Sequence, residues 1–351
     1  MKAKRDYDVI LWGATGFTGS LVASHLVSNY GVGGELRWAI GGRDAAKLKK
    51  LRGELLPPGS EAELPIIIAD SNDPGSLASL AGATRVVCTT VGPYAQYGSA
   101  LVAACVAAGT DYCDLTGEVP WMVDMIARHQ REAEKTGARI VHNCGFDSIP
   151  SDLGVWFLQD QMLARHGVVA VRAKGRVGNV SGGASGGTIA SMLGMVEQAA
   201  ADKAVREALS DPYSLYPEDL PPGLDRGDQR RAKFDRDFDQ WTAPFVMSAI
   251  NMRVVRRSNA LQGFPYGRDF RYDEAMLTGS GVAGRAKANA ISAASLAGML
   301  ALAVKPARRA AAALLPSPGE GPTPVQQESG HFELFFHGTA GEDGAELTVR
   351  V

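Results

Sequence analysis

Near the start of the chain, Gly13-Ala14-Thr15-Gly16-Phe17-Thr18-Gly19 has the composition and spacing of a phosphate-gripping turn. It follows the apolar run Val9-Ile10-Leu11-Trp12, which reads as a buried parallel strand. It precedes Leu21, Val22, Leu26 and Val27, apolar positions at helical spacing. In that strand–turn–helix setting each glycine has its own task. Gly13 permits a sharp turn, Gly16 removes a side chain that would hold the backbone off a pyrophosphate, and Gly19 lets helix and strand approach closely. Free N–H groups of the first helical turn would then face the phosphates. The expected chemistry is dinucleotide binding; the alternative is a glycine-rich turn that holds nothing.

NAD sites usually place Asp or Glu at the end of the second strand. Here that strand ends in Gly41-Gly42-Arg43, with Lys47 one helical turn on. No carboxylate stands there to repel a 2′-phosphate, and a guanidinium can grip one in bidentate fashion, so NADP is expected over NAD. Arg43 as an ordinary solvated residue at a helix start is the other reading. Asp70, closing the third strand, is placed to meet the adenine edge. Thr90, Gly92 and Pro93 follow the fourth, where such a sheet meets the central ribose and the nicotinamide side. Tyr94 or Tyr97 could donate a proton or stack on a ring, and either could equally be a packing tyrosine. Asp147 and Ser148 could orient a substrate, while Asp147 could instead cap a helix starting near Ser151 or Asp152. Tyr94, Asp147 and Ser148 are the catalytic candidates. Lys174, Arg176 and the glycine-rich stretch from Ser181 to Thr188 are candidates for a substrate-side wall.

The elements that must position these residues follow from periodicity. Six short apolar runs, near residues 9–12, 36–40, 64–69, 85–90, 112–115 and 139–143, alternate with helical patterns. That alternation predicts an α/β fold, a Rossmann-type doubly wound parallel sheet over residues 1–150. After Pro150 the pattern changes to helix 152–167, an alternating stretch 168–177, helix 188–209, an irregular segment 211–240, helix 245–257 and an alternating stretch 268–276. An alanine-rich helical stretch 286–315 broken by Pro306, a linker or disordered loop 316–324 and a closing hairpin complete the chain. Residues 151–351 are therefore expected to form a second α+β domain, a substrate or cap domain containing a mainly antiparallel sheet.

The bulk composition narrows the class. The chain has 351 residues, 45% apolar and 21% charged, which is ordinary for a folded protein. A formal charge of −2 and the lack of a basic stripe with interleaved aromatics argue against nucleic acid as a partner. Cys88, Cys105, Cys113 and Cys144 show no CxxC spacing and read as reduced, partly buried thiols. A metal site is not expected, with only His142 near Cys144 even suggestive of one. The charged N-terminus has no apolar signal core, which points to a cytoplasmic protein. Residues 288–304 carry no charge and are flanked by Arg285, Lys287, Lys305, Arg308 and Arg309. The first reading is a helix packed in the core or between domains; a peripheral membrane, lipid or partner contact is the second, and a span is the least favoured.

Gly13–Gly19, Ala39-Ile-Gly-Gly-Arg43, Thr90-Val-Gly-Pro-Tyr94, Asp111-Tyr-Cys-Asp-Leu-Thr-Gly-Glu118 and Asn143-Cys-Gly-Phe-Asp-Ser-Ile-Pro-Ser-Asp-Leu-Gly154 together resemble the saccharopine dehydrogenase-like oxidoreductases. Within them the chain is most similar to the branch holding the mycobacterial trans-acting enoyl reductases and the animal saccharopine dehydrogenase-like protein. The resemblance is strong from residue 6 to about 200 and weaker beyond, including Ser185-Gly-Gly-Thr188. It implies a Rossmann domain, an inserted α/β domain covering the nicotinamide, and hydride transfer from NADPH. For the enoyl reductases it implies an α,β-unsaturated acyl chain held on a polyketide synthase in glycolipid assembly. The substrate would then be a small-molecule or carrier-bound acyl group, and membrane association is also implied. The alternatives are an oxidoreductase acting on an amino-acid-derived imine, and a non-catalytic, lipid-associated NADP-binding scaffold. The family's C-terminal part extends past the point where this chain stops, so the second domain is expected to be truncated.

Overall fold

Strands that are apolar on both faces can be buried only when covered on both sides, and the first part of the chain supplies such strands with helices between them. In the computed structural model, residues 4–57, 63–183, 185–317, 319–341 and 344–351 are described. The first elements are β1 (Tyr7–Trp12), α1 (Phe17–Tyr30), β2 (Trp38–Gly42), α2 (Ala45–Leu55), β3 (Ile66–Ile68) and α3 (Pro74–Ala83). Next come β4 (Thr84–Thr89), α4 (Tyr94–Tyr97), α5 (Ser99–Ala108), β5 (Asp111–Cys113), α6 (Val119–Thr136) and β6 (Ile140–Val141). The strands form one parallel sheet in the order β3-β2-β1-β4-β5-β6, the doubly wound arrangement expected. The order reverses between β1 and β4, whose carboxyl ends therefore flank a crevice suited to a ligand. Leu11, Ala14, Ala23, Trp38, Ile40, Leu48 and Leu64 pack the core around β1 and β2. Asp44 caps α2 by accepting from the N–H groups of Ala46 and Lys47, and Asp73 caps α3 just before Pro74.

The remaining elements are α7 (Ile149–His166), β7 (Arg172–Ser181), α8 (Gly186–Ala201), α9 (Lys203–Ser210), β8 (Lys233–Asp235), β9 (Gln240–Ala243) and α10 (Ser248–Leu261). They continue through β10 (Arg271–Gly279), α11 (Gly281–Ala303), α12 (Lys305–Leu314), α13 (Pro324–Ser329), β11 (His331–Thr339) and β12 (Glu346–Arg350). The second sheet runs β12-β11-β7-β10-β9-β8 and is antiparallel except for the parallel pair β7–β10. Val155, Leu158 and Met162 of α7, with Met252 and Val255 of α10, share a core with Ala173, Tyr272 and Phe336. Two glycines make that contact close: a Cβ on Gly154 would stand 2.2 Å from the Phe336 ring, and one on Gly338 2.9 Å from Leu158.

The chain divides into two compact units, one of Met1–Cys144 with Ala184–Gly194 and Leu314–Gly321, the other of the remainder. Sequence reading set the boundary at residue 150 and assigned all later residues to the second domain. The fold instead returns two short later segments to the nucleotide-binding unit. Of the segment expected to be a linker or disordered loop, 316–324, the part up to Gly321 belongs to that return: Gly186 N donates to Glu320 O, and Ser317 N to the Glu320 carboxylate.

Other expectations need correction. Residues 188–209 are two helices, because Asp202 stops the first and caps the second through Ala204 N. The segment 211–240 is irregular only as far as residue 232, since Lys233–Asp235 and Gln240 join the second sheet as β8 and the start of β9, and its irregular part is firmly held. Arg253 donates to the carbonyls of Leu209 and Asp211, Arg256 to Pro212 O and Asp225, and Arg257 to Leu215 O. Lys174 and Arg176 do not form a substrate wall. Lys174 pairs with Asp235 and Asp237, and Arg176 with Asp235 and Asp273, with both cations almost wholly buried. Residues 288–304 are not a core helix either, since α11 buries only Gly284 and Ala288.

In the second unit Asp152 of α7 accepts from the Ser258 hydroxyl of α10 at 2.8 Å, and burial pushes its carboxyl up to about 6. The native state thus holds this proton more tightly than the unfolded chain does. The resulting stability is present in full below about pH 4 and is lost as pH rises through 6. Asp152→Asn should raise stability at pH 7 by about 1–3 kcal/mol and flatten the slope between about pH 4 and 6, measured by urea unfolding across pH.

Candidate functional site

The carboxyl ends of four neighbouring strands bring the predicted cofactor residues into one row. The turn after β1 is tied to β2 by Gly13 and Ala14 N–H groups donating to Gly41 O, and β3 is tied to β2 by Ala69 N donating to Gly42 O. On the other flank Thr90 N donates to Trp12 O, and the Thr90 hydroxyl lies 3.2 Å from Gly13 O, its acceptor. Asp70, Arg43, Gly13–Gly19 and Thr90-Val91-Gly92-Pro93 therefore follow one another along the sheet edge.

The three glycines of the turn are required for different reasons. Gly13 has φ +87°, and a Cβ there would stand 2.5 Å from Val91. At Gly19 a Cβ would fall 2.1 Å from Gly13 O, so helix and turn could not meet. At Gly16 the nearest atom beyond its chain neighbours would be Gly13 O at 3.4 Å, with no other atom of the described residues within 4 Å. The fold itself demands glycine at 13 and 19, whereas the space beside Gly16 is open. Among the described residues no side chain caps α1, in contrast to α2 and α3, so the N–H groups of its first turn are free for an anion. Ala14 is buried, Thr15 is exposed, and Phe17 and Thr18 are half-buried. Phe17 lies under Gly321, where a Cβ would come within 2.6 Å of the ring.

Arg43 is exposed at the end of β2, with no hydrogen bond or ion pair to the described residues. The adjacent carboxylate, Asp44, is occupied by the α2 N–H groups. The edge of β2 thus presents a free guanidinium with Lys47 exposed nearby, which fits a 2′-phosphate. Asp70 is half-buried, and its Oδ1 accepts from the backbone and side-chain N–H groups of Asn72.

Beyond β4, Tyr94 has a structural task. Its hydroxyl donates to Thr89 O and accepts from Leu115 N, its ring packs 5.5 Å from Trp121, and burial pushes its proton well above the ordinary phenol range. As a proton donor it is a poor candidate; Tyr97, one turn on, is exposed. Glu118, which sequence reasoning left without a role, organises this corner. It is 2% exposed, and its carboxylate accepts from the N–H groups of Tyr94 and Ala95 and from the Ser191 hydroxyl at 2.7 Å. Ser191 also stands beside Gly92. The early part of α8, where Ser185 accepts from Thr188 N, is thereby fastened to the β4 loop. Asp114 is the second buried carboxylate, accepting from Tyr112, His142 Nδ1 at 2.7 Å and the N–H groups of Thr116 and Asn143. His142, the one residue suggestive of a metal, is engaged there.

Asp147 and Ser148 belong to the second unit. Ser148 is the N-cap of α7 by position, but its hydroxyl accepts from no helix N–H and donates to Asn251 Oδ1 at 2.9 Å, and Asp147 does not cap the helix either. Asn251 in turn donates to Ser151 and to Glu274, which also accepts from Tyr272 at 2.5 Å. Burial raises the Glu274 carboxyl above the ordinary range. Asp147 is half-buried, burial alone raises its carboxyl, and among the described residues nothing hydrogen-bonds or ion-pairs with it. Asn251 and Glu274 carry no sequence signal, because they reach Ser148 from more than 100 residues away.

A switch-point glycine turn, an uncapped helix and an unpaired arginine define a nucleotide-binding Rossmann unit of the NADP type. Residues 9–141 match the family described as the saccharopine dehydrogenase NADP binding domain. A Mycobacterium tuberculosis protein provisionally named a trans-acting enoyl reductase is 41% identical over 365 aligned residues, covering 99% of this chain and 84% of that protein. A Mycobacterium bovis protein named trans-acting enoyl reductase is 38% identical, covering 97% of this chain and 83% of its own length. Among solved structures, apo saccharopine dehydrogenase (L-Glu forming) from Saccharomyces cerevisiae aligns over 98% of this chain and 85% of its own, at 12% identity and TM-score 0.45, too slight a likeness to argue from. The chain belongs to the trans-acting enoyl reductase family, NADP-dependent oxidoreductases with a saccharopine dehydrogenase-type nucleotide-binding domain.

Because the protein leaves the space at Gly16 open, Gly16→Val should fold with an almost unchanged Tm yet weaken NADPH binding about 10–100-fold, the loss of one or two charge-assisted hydrogen bonds. Gly19→Val should instead lower the Tm sharply. Thermal unfolding and fluorescence titration separate the two outcomes. Arg43→Ala should weaken NADPH binding by a similar factor of about 10–100 and leave NADH binding nearly unchanged; equal losses for both would remove Arg43 from the 2′-phosphate site.

Proposed function

We propose that this chain reduces the α,β-double bond of an acyl thioester presented by a separate carrier protein, such as the carrier of a polyketide synthase, with NADPH as reductant. Kinship at 38–41% identity with trans-acting enoyl reductases along nearly the whole chain carries this reading, since it includes the second unit as well as the nucleotide-binding one. When bound, NADPH supplies a hydride from C4 of the nicotinamide to the β-carbon. The protein's tasks are then to grip the cofactor and to deliver a proton to the α-carbon. Gly13–Gly19 and the free N–H groups of α1 would hold the pyrophosphate, Arg43 would hold the 2′-phosphate, and Thr90, Gly92 and Pro93 would border the nicotinamide side. Of the catalytic candidates, Asp147 is the one with a proton left to give: burial keeps it on to higher pH than for an exposed aspartate, and no described residue competes for it. Ser148, buried with its hydroxyl on Asn251, positions the segment that carries Asp147 and does not itself reach substrate.

Purified protein should oxidise NADPH with an enoyl group on a carrier protein and not with an amino-acid-derived imine; the opposite preference would move the reading to an amino-acid oxidoreductase. With the acid protonated in the active form, kcat should fall as pH rises through the raised pKa of Asp147. Asp147→Asn should lower kcat about 10²–10⁴-fold and abolish that limb of the profile. An unchanged pH profile in the variant would assign the proton to another group.

A further inference from the structure

Helix α11 is exposed in a way that a water-facing helix is not. Residues 293–301 are exposed without interruption, so all sides of the helix meet solvent over more than two turns. Leu296, Met299, Leu300 and Val304 are 57%, 61%, 64% and 56% exposed. An amphipathic stripe would fit a groove on another protein, whereas a helix that is apolar all round is matched by an apolar core or by lipid. Its charge surroundings are equally one-sided. From Ala275 to Gly319 the chain has no Asp or Glu, while Arg285, Lys287, Lys305, Arg308 and Arg309 bracket the uncharged stretch 288–304. Arg308 pairs with Glu197 and Arg285 lies over Trp241, which leaves Lys287, Lys305 and Arg309 exposed and without partners among the described residues.

We propose that α11 and the start of α12 dock on an anionic bilayer surface, the apolar turns entering the acyl boundary and the flanking cations meeting lipid phosphates. The topology decides that the helix lies in one leaflet and does not cross. The excursion leaves from β10 and returns to β11, and both strands flank β7 in one sheet. A crossing would need a second span to come back, at about 20 apolar residues each way. Among the described residues the return path offers only α12, of 10 residues, and α13, of 6. The proposal does not depend on the reaction assigned above.

The test is flotation of the full chain with vesicles of phosphatidylcholine alone, and of phosphatidylcholine with phosphatidylglycerol. Binding is expected to the mixed vesicles and to be weak on the neutral ones. It should fall about fivefold for each of Lys287→Gln, Lys305→Gln and Arg309→Gln. The double variant Leu296→Asn with Leu300→Asn, both at exposed positions, should fold, bind NADPH as before and lose the vesicles. Protein left unbound with both vesicle types overturns the proposal. So does binding that ignores the cations, or a concentration-dependent dimer in sedimentation that the double variant abolishes without any vesicle binding.

Discussion

The nucleotide-binding unit depends on a steric contact that only hydrogen atoms can satisfy. Where β1 turns into α1, the first residue of the turn presents its carbonyl to the third glycine at a separation that leaves no room for a methyl group. That closeness places the start of α1 at the switch point of the sheet, with its first N–H groups uncapped. The same turn is tied by hydrogen bonds to β2 and β4. The contact that shapes the phosphate cradle thus also sets the distance from the cradle to Arg43 on one side and Thr90 on the other.

Buried charge does two different jobs in the two units. In the first, Glu118 and Asp114 accept several N–H and O–H donors each, which compensates their removal from water and ties the β4 loop to the ends of β5 and β6. In the second, arginines on α10 spend their fixed fork of donors on the carbonyls of an irregular segment that has no regular hydrogen bonds of its own. The part of this proline-, aspartate- and arginine-rich stretch that precedes β8 is ordered in this way without becoming helix or sheet. Lys174 and Arg176 are consumed similarly by three aspartates, so they are charges of the fold and not of a binding wall.

Against these satisfied groups, a few among the described residues have no protein partner. Arg43 has no partner among the described residues, Asp147 is a half-buried carboxyl without one, and α11 carries apolar side chains into water. Each would be costly or idle in an isolated protein. The chemistry proposed for each is distinct: a phosphate monoester, a transferable proton and a lipid surface.

The sequence alone determined the alternation of strands and helices, the glycine turn and its NADP-type neighbour, because those depend on residues close together in the chain and on periodicity. It also determined the closing hairpin and the mainly antiparallel second sheet. It could not show that Glu118 meets Ser191, that Gly321 lies on Phe17, or that Asn251 and Glu274 secure Ser148, since those contacts join residues separated by roughly 70 to 300 positions and depend on how the layers stack. Nor could it decide the state of a side chain whose type allows two tasks. Tyr94 and Arg176 have the same residue types as a proton donor and a substrate anchor, and only tertiary packing, by burying one hydroxyl against a backbone carbonyl and one guanidinium between aspartates, made them parts of the frame.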